Sequence, residues 1–75
     1  MKITVKLIGP LIYPAGFSEK TMVFPVSATT GDALARVKIE KRRPVIVTVN
    51  GRAVNLSDTL KNGDRVVISP IYSGG

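Results

Sequence analysis

Lys2 to Ile8 alternates without a break, with Ile3, Val5 and Leu7 on one side and Lys2, Thr4 and Lys6 on the other. A period of two marks a strand with one dry face and one wet face. It commits the chain to a sheet whose dry face must be covered. Only one stretch can supply the cover. Thr29-Thr30-Gly31-Asp32 reads as a helix start, because a Thr three residues before an acid can cap the free amides of the first turn, and Asp32 suits the positive helix end. Ala33, Leu34 and Val37 then share one face at helical spacing. Lys38, Lys41, Arg42 and Arg43 gather where the helix should end, and Pro44 forbids its continuation. Two to three turns are expected.

The other regular segments are strands. Gly9, Pro10, Pro14 and Gly16 break the chain after the first, and Thr21-Met22-Val23-Phe24 returns as its hairpin partner across a long loop. Val45 to Val49 is rich in β-branched residues and ends at Asn50-Gly51, a strong hairpin signal, with Ala53-Val54 as a brief return strand. Ser57 to Leu60 suggests a single turn and Asn62-Gly63-Asp64 a tight one. Arg65 to Ile71 is the last strand, and Tyr72-Ser73-Gly74-Gly75 leaves as a tail. The order strand, strand, helix, strand, short strand, strand describes an α+β chain of the β-grasp, ubiquitin-like class: a mixed sheet of four to five strands with one helix across one face. Residues 1–71 form the domain and 72–75 a flexible tail.

Seventy-five residues cannot be divided between two cores. Small domains often add staples, but this chain has no Cys for a disulfide and no Cys or His cluster for a metal, so the packing of Val, Ile and Leu must hold the fold. The same inventory restricts chemistry. Without Cys there is no thiol nucleophile, without His the commonest general base is missing, and the five Asp and Glu are scattered singly. No catalytic residues, no metal site and no bound cofactor are expected. The start of the chain lacks the apolar core of a signal peptide, and no apolar run reaches membrane-spanning length. The cytoplasm is the expected location.

Three segments together carry a family resemblance. Val49-Asn50-Gly51 is a strand-ending Val-Asn-Gly, Leu60-Lys61-Asn62-Gly63-Asp64-Arg65-Val66 is a Leu-x-x-Gly-Asp-x-Val turn into the last strand, and Pro70-Ile71-Tyr72-Ser73-Gly74-Gly75 is a Pro-x-x-x-Gly-Gly ending. In these the chain resembles the ubiquitin-like sulfur carriers of the MoaD and ThiS type, the small subunit of molybdopterin synthase and the sulfur carrier of thiamine thiazole synthesis. It departs from them at Pro10-Leu11-Ile12-Tyr13-Pro14, where many relatives carry a charged Arg-Glu segment, in its short helix, and at Ser69, where some place an aromatic.

The resemblance implies a carrier rather than an enzyme. An adenylyltransferase of the ubiquitin-activating type would use ATP to adenylate the Gly75 carboxylate. A persulfide-bearing sulfur donor would convert it to a thiocarboxylate, and a molybdopterin synthase large subunit or a thiazole synthase would receive the sulfur. Gly74 and Gly75, lacking Cβ, suit a tail that must thread narrow active sites. Four residues beyond Ile71 reach at most about 13–14 Å. If the last strand buries Val66 and Ile68, then Val67, Ser69 and Ile71 face outward beside Ile46 and Thr48. With Tyr72 they form the expected docking surface for activating enzymes.

Other readings compete. The same activated terminus could form an isopeptide bond as a protein modifier. The +6 charge and the run Lys38-Ile39-Glu40-Lys41-Arg42-Arg43 raise a TGS-like RNA-binding β-grasp module. A solvated helix end explains the basic run more simply, and the sparse aromatics give little platform for bases, so nucleic acid is not an expected partner. Leu11, Ile12, Tyr13 and Phe17 read as a loop folded over the sheet edge to finish the core. Gly75→Val is expected to keep the wild-type unfolding temperature yet fail to form a thiocarboxylate, read by intact mass after loading. Normal loading would remove the steric argument.

Overall fold

The computed structural model describes residues 1–39 and 43–71. Five strands, β1 (Lys2–Leu7), β2 (Glu19–Val23), β3 (Val45–Val49), β4 (Arg52–Ala53) and β5 (Arg65–Pro70), form one sheet in the order β2-β1-β5-β3-β4. β1 and β5 run parallel, and the other neighbours are antiparallel. This is the expected mixed β-grasp sheet. Two short helices, α1 (Ile12–Ala15) and α2 (Thr30–Arg36), accompany it, and only α2 was foreseen. No helix among the described residues is long and apolar enough to cross a membrane.

The dry face is the one that the alternation sets. Ile3, Val5 and Leu7 from β1, Val47 from β3, and Val66 and Ile68 from β5 are buried together with Ala33, Leu34 and Val37 of the helix segment. Phe24, Ala28, Leu60 and Leu11 close the margins of this core. The segment after β1 is not a plain loop. Gly9–Leu11 forms a 3₁₀ turn and runs into α1. Leu11 is buried, and Ile12 and Phe17 are half-buried against the core as expected, whereas Tyr13 stands 84% exposed. Pro14 does not interrupt α1 because it lies within its first turn, where its missing N–H has no helical partner to lose.

Helix α2 begins as its sequence proposes. Thr29 N–H donates to Asp32 Oδ2 at 2.8 Å, while Asp32 N–H donates to Thr29 Oγ1 at 3.2 Å, a closed capping box. The next two amides are taken by the loop that follows β4, Thr30 N–H by Asp58 O and Gly31 N–H by Leu56 O. Gly31 allows that approach, because a Cβ there would lie 3.2 Å from Leu56 O.

The helix ends earlier than the basic run suggests. It stops at Arg36, and Lys38 adopts a left-handed conformation with φ 62°. Ile39 N–H then bonds to Leu34 O and Lys38 N–H to Ala35 O, each at 3.2 Å, which is the Schellman pattern. The physical reason is Ile39. It lies five residues after Leu34 and off the buried stripe, so only a reversal at Lys38 brings it into the core, where it is 8% exposed. The basic run therefore lies beyond the helix, and residues 40–42 of it fall outside the described residues. Because a non-glycine residue in the left-handed region costs about 1–2 kcal/mol, Lys38→Gly should stabilise the chain by about 1 kcal/mol, raising the melting temperature by about 4–8 °C in a thermal scan.

Candidate functional site

The expected working residues Gly74 and Gly75, and Tyr72 before them, lie outside the described residues. The structure does establish how the chain is delivered to them. β5 is the central strand, paired with β1 through Val5↔Val66 and Leu7↔Ile68, and with β3 through Val47↔Ile68 and Val45↔Pro70. Ile71 N–H still bonds to Pro44 O at 3.2 Å, so the strand is held on its β3 side up to the last described residue. Pro70 fits this position because alternate residues of β5 turn their N–H groups toward β3. Ile71 is one of them and Pro70 is not, so its missing donor faces the side where β1 has turned away at Gly9.

The register of β5 is set at its other end. Asn50 and Gly51 both have positive φ, 51° and 83°, as the tight turn between β3 and β4 requires. That turn points the Asn50 side chain at the start of β5. Its Nδ2 donates to Asp64 Oδ1 at 2.9 Å, and its Oδ1 accepts from Arg65 N–H at 3.0 Å. Asp64 is nearly buried and also accepts from Lys61 N–H through Oδ2 at 2.8 Å, and its carbonyl accepts from Thr4 N–H at 3.0 Å. The Val-Asn-Gly and Gly-Asp segments, separate in sequence, are thus one hydrogen-bonded unit.

The wet face of the sheet carries the expected surface residues. Ile46 and Ser69 are cross-strand neighbours, as are Thr48 and Val67. Ile46 and Ile71 are 51% and 48% exposed, and Thr48, Val67 and Ser69 are half-buried. All five face away from α2, as alternation requires. Ile8, 36% exposed, joins them. It continues the Lys2, Thr4, Lys6 series, and counting that series one step further would have found it. The face is graded. Its apolar end, with Ile8, Ile46 and Ile71, lies where the chain leaves β5, and its far end is polar. There Arg65 pairs with Glu19 at 2.6 Å across β1, and the Thr4 and Thr21 hydroxyls meet at 3.1 Å. On the opposite, helix side, a groove of about 690 Å³ opens between Leu34, Ile39, Val54 and Leu56, away from this face.

A model of the ThiS family matches residues 5–75. No curated protein sequence matches. Among solved structures, the chain is similar to SAMP1 from Haloferax volcanii, with 24% identity, full coverage of both chains and a TM-score of 0.80. It is similar to a Pyrococcus furiosus protein assigned as subunit 1 of molybdopterin converting factor, at 27% identity over 96% of this chain and 99% of that one, TM-score 0.80. The Helicobacter pylori complex of subunits 1 and 2 of molybdopterin-converting factor contains a chain that is 20% identical over the full length of both, TM-score 0.66.

Asp64→Ala would leave the Lys61 amide and the Asn50 amide group without their acceptors. Both bonds are part-buried, and hydrogen bonds to a charged group are worth about 1.5–3 kcal/mol, so the urea midpoint should fall accordingly. A smaller loss at Glu19→Ala, whose exposed ion pair is worth about 0–1 kcal/mol, would confirm that the Asp64 hydrogen bonds and not surface charge hold β5.

Proposed function

The chain belongs to the ThiS family, and from that premise we propose that it is a sulfur carrier protein that works through the carboxylate of Gly75. Members of this family are small carriers acted on by partner enzymes rather than catalysts. The observation that carries the proposal is the reach of the family match, which runs from β1 through the final Gly-Gly. A carboxylate resists nucleophiles because its own charge repels them and oxide is a poor leaving group. Attack of the Gly75 carboxylate on the α-phosphate of ATP, within an adenylyltransferase of the ubiquitin-activating type, releases pyrophosphate and leaves an acyl adenylate. The terminal sulfur of a donor persulfide then displaces AMP. Cleavage of the resulting acyl disulfide by a thiol releases the thiocarboxylate and leaves a disulfide on the thiol side.

The graded face serves docking in this scheme. Ile46, Ile71 and Ile8, with Thr48, Val67 and Ser69 around them, offer apolar area at the end from which the tail departs, so a partner seated there receives Tyr72 to Gly75 in its active site. The acceptor is a molybdopterin-type precursor or the thiamine thiazole. Similarity to the Pyrococcus furiosus protein and the Helicobacter pylori complex supports the former, with a large synthase subunit as receiving partner. The cytoplasm, where ATP is available, is the proposed compartment.

A second reading, conjugation of Gly75 to lysines of other proteins, is favoured by the similarity to SAMP1, a small archaeal modifier protein, and to Urm1 of Trypanosoma brucei, at 20% identity and TM-score 0.71. Intact mass separates the two. After incubation with ATP, an adenylating enzyme and a sulfur source, the carrier should gain the mass of one oxygen exchanged for sulfur, and a chain lacking Gly75 should gain nothing. No gain with an enzyme shown to charge other carriers, together with covalent adducts in extract, would give the chain to the modifier reading.

A further inference from the structure

β2 is an edge strand, with β1 on one side and nothing on the other among the described residues. The direction of its backbone groups follows from its pairing. Phe24 N–H bonds to Met1 O at 2.8 Å and Leu7 N–H to Ser18 O at 2.7 Å. With the register Lys2↔Val23 through Lys6↔Glu19, the hydrogen-bonded positions of β2 are therefore Lys20 and Met22. The N–H and C=O groups of Glu19, Thr21 and Val23 point away from the sheet. One of these six is occupied, since Arg36 Nη1 donates to Val23 O at 3.1 Å.

Natural sheets shield such edges with charge, proline, bulges or a covering segment. Here the shielding is mainly cationic, with three cations against two carboxylates. Lys20 reaches back over the Phe17 ring at 5.9 Å, Arg36 lies 4.4 Å over the Phe24 ring, and Lys2 stands beside Val23 on the neighbouring strand. Of the two nearby carboxylates, Glu19 is paired with Arg65, while Asp32 is turned to the Thr29 amide in the capping box and keeps its charge. Apolar surface accompanies these cations. Val23 is 66% and Val26 82% exposed. A hollow of about 470 Å³, bounded by Phe24, Pro25, Ala28, Asp32, Ala35 and Arg36, continues the edge toward α2.

We propose that the β2 edge binds an extended, acidic segment of a partner protein as an added antiparallel or parallel strand. The unpaired backbone groups suit an added strand as occupant. The charge decides whose strand it is. A second copy would bring its own Lys20 and Arg36 against these cations, on a chain that carries a net charge of +6, whereas acidic side chains on a partner strand would meet them favourably. Bound there, the segment leaves Ile8, Ile46 and Ile71 at the apolar end of the graded face open, so a partner held at β2 is compatible with another where the chain leaves β5.

The test is a titration of the full ¹⁵N-labelled chain with an octapeptide of alternating Val and Glu. Shift changes and slowed amide exchange at Glu19, Thr21 and Val23 are expected. Replacing Glu by Lys in the peptide, or N-methylating its alternate amides, should weaken binding at least about tenfold, the loss of one or two charge-assisted or ladder contacts. Thr21→Pro should do the same, because its N–H lies outside the β1 ladder and proline is tolerated on such an edge. The peptide variants keep the result interpretable if this substitution perturbs folding. The proposal is overturned by shifts centred on Ile46 and Val67, by equal binding of the Lys peptide, or by no shift up to the peptide's solubility limit. Concentration-dependent dimerisation that protects the β2 amides without peptide would give the edge to a second copy instead.

Discussion

Asn50 and Asp64 meet side chain to side chain at 2.9 Å, and much of the molecule's order depends on that contact. The hairpin turn after β3 and the turn before β5 are far apart in the chain and near in space. Each contains a residue that would be difficult to place alone: an asparagine with positive φ and a nearly buried carboxylate. Together each satisfies the other's polar groups, and the Arg65 amide is drawn into the same unit. A sheet register can slip by one residue only by moving every side chain to the other face. By pinning the first residue of β5, the contact decides that Val66 and Ile68 face the helix while Val67 and Ser69 face solvent. Both the core and the graded outer surface follow from it.

The two faces of the sheet have separate work. The helix side is occupied with stability, since the core of a chain this short leaves little margin. The outer side is free to carry contacts, and its polarity runs along the strands instead of being scattered. The covalent chemistry proposed for the tail needs partners that arrive, react and leave in turn. A chain with several surfaces of distinct character, an apolar end, a polar end and an open basic edge, can be handled by more than one of them without rearranging its fold.

Much of this was legible in the sequence because alternation is a direct image of the pleat. Ile3, Val5 and Leu7, and the division of β3 and β5 into inner and outer residues, needed no further information. Thr29 and Asp32 announced the helix start through the chemistry of capping. The helix end was not legible, since Lys38 occupies a left-handed position that glycine usually marks, and the demand that placed it there came from Ile39 and the tertiary core. The turn and short helix from Gly9 to Ala15 were hidden for a similar reason: two prolines and two glycines read as a break, while the burial of Leu11 depends on a sheet that local sequence does not show. For the tail, the sequence supplies the chemistry that the family resemblance attaches to Gly-Gly, and the sheet supplies its point of departure.

The central position of β5 also bears on how the molecule meets force. An enzyme that drew the tail into its active site, as proposed, would pull along the axis of a strand clamped by β1 on one flank and β3 on the other. Such a pull loads the ladders lengthwise, so their hydrogen bonds share it and must yield together. An edge strand pulled across its ladder would instead open like a zip, bond by bond. Force applied beyond Ile71 would therefore be shared by both ladders, as a handle is riveted through the middle of a plate and not glued to its rim.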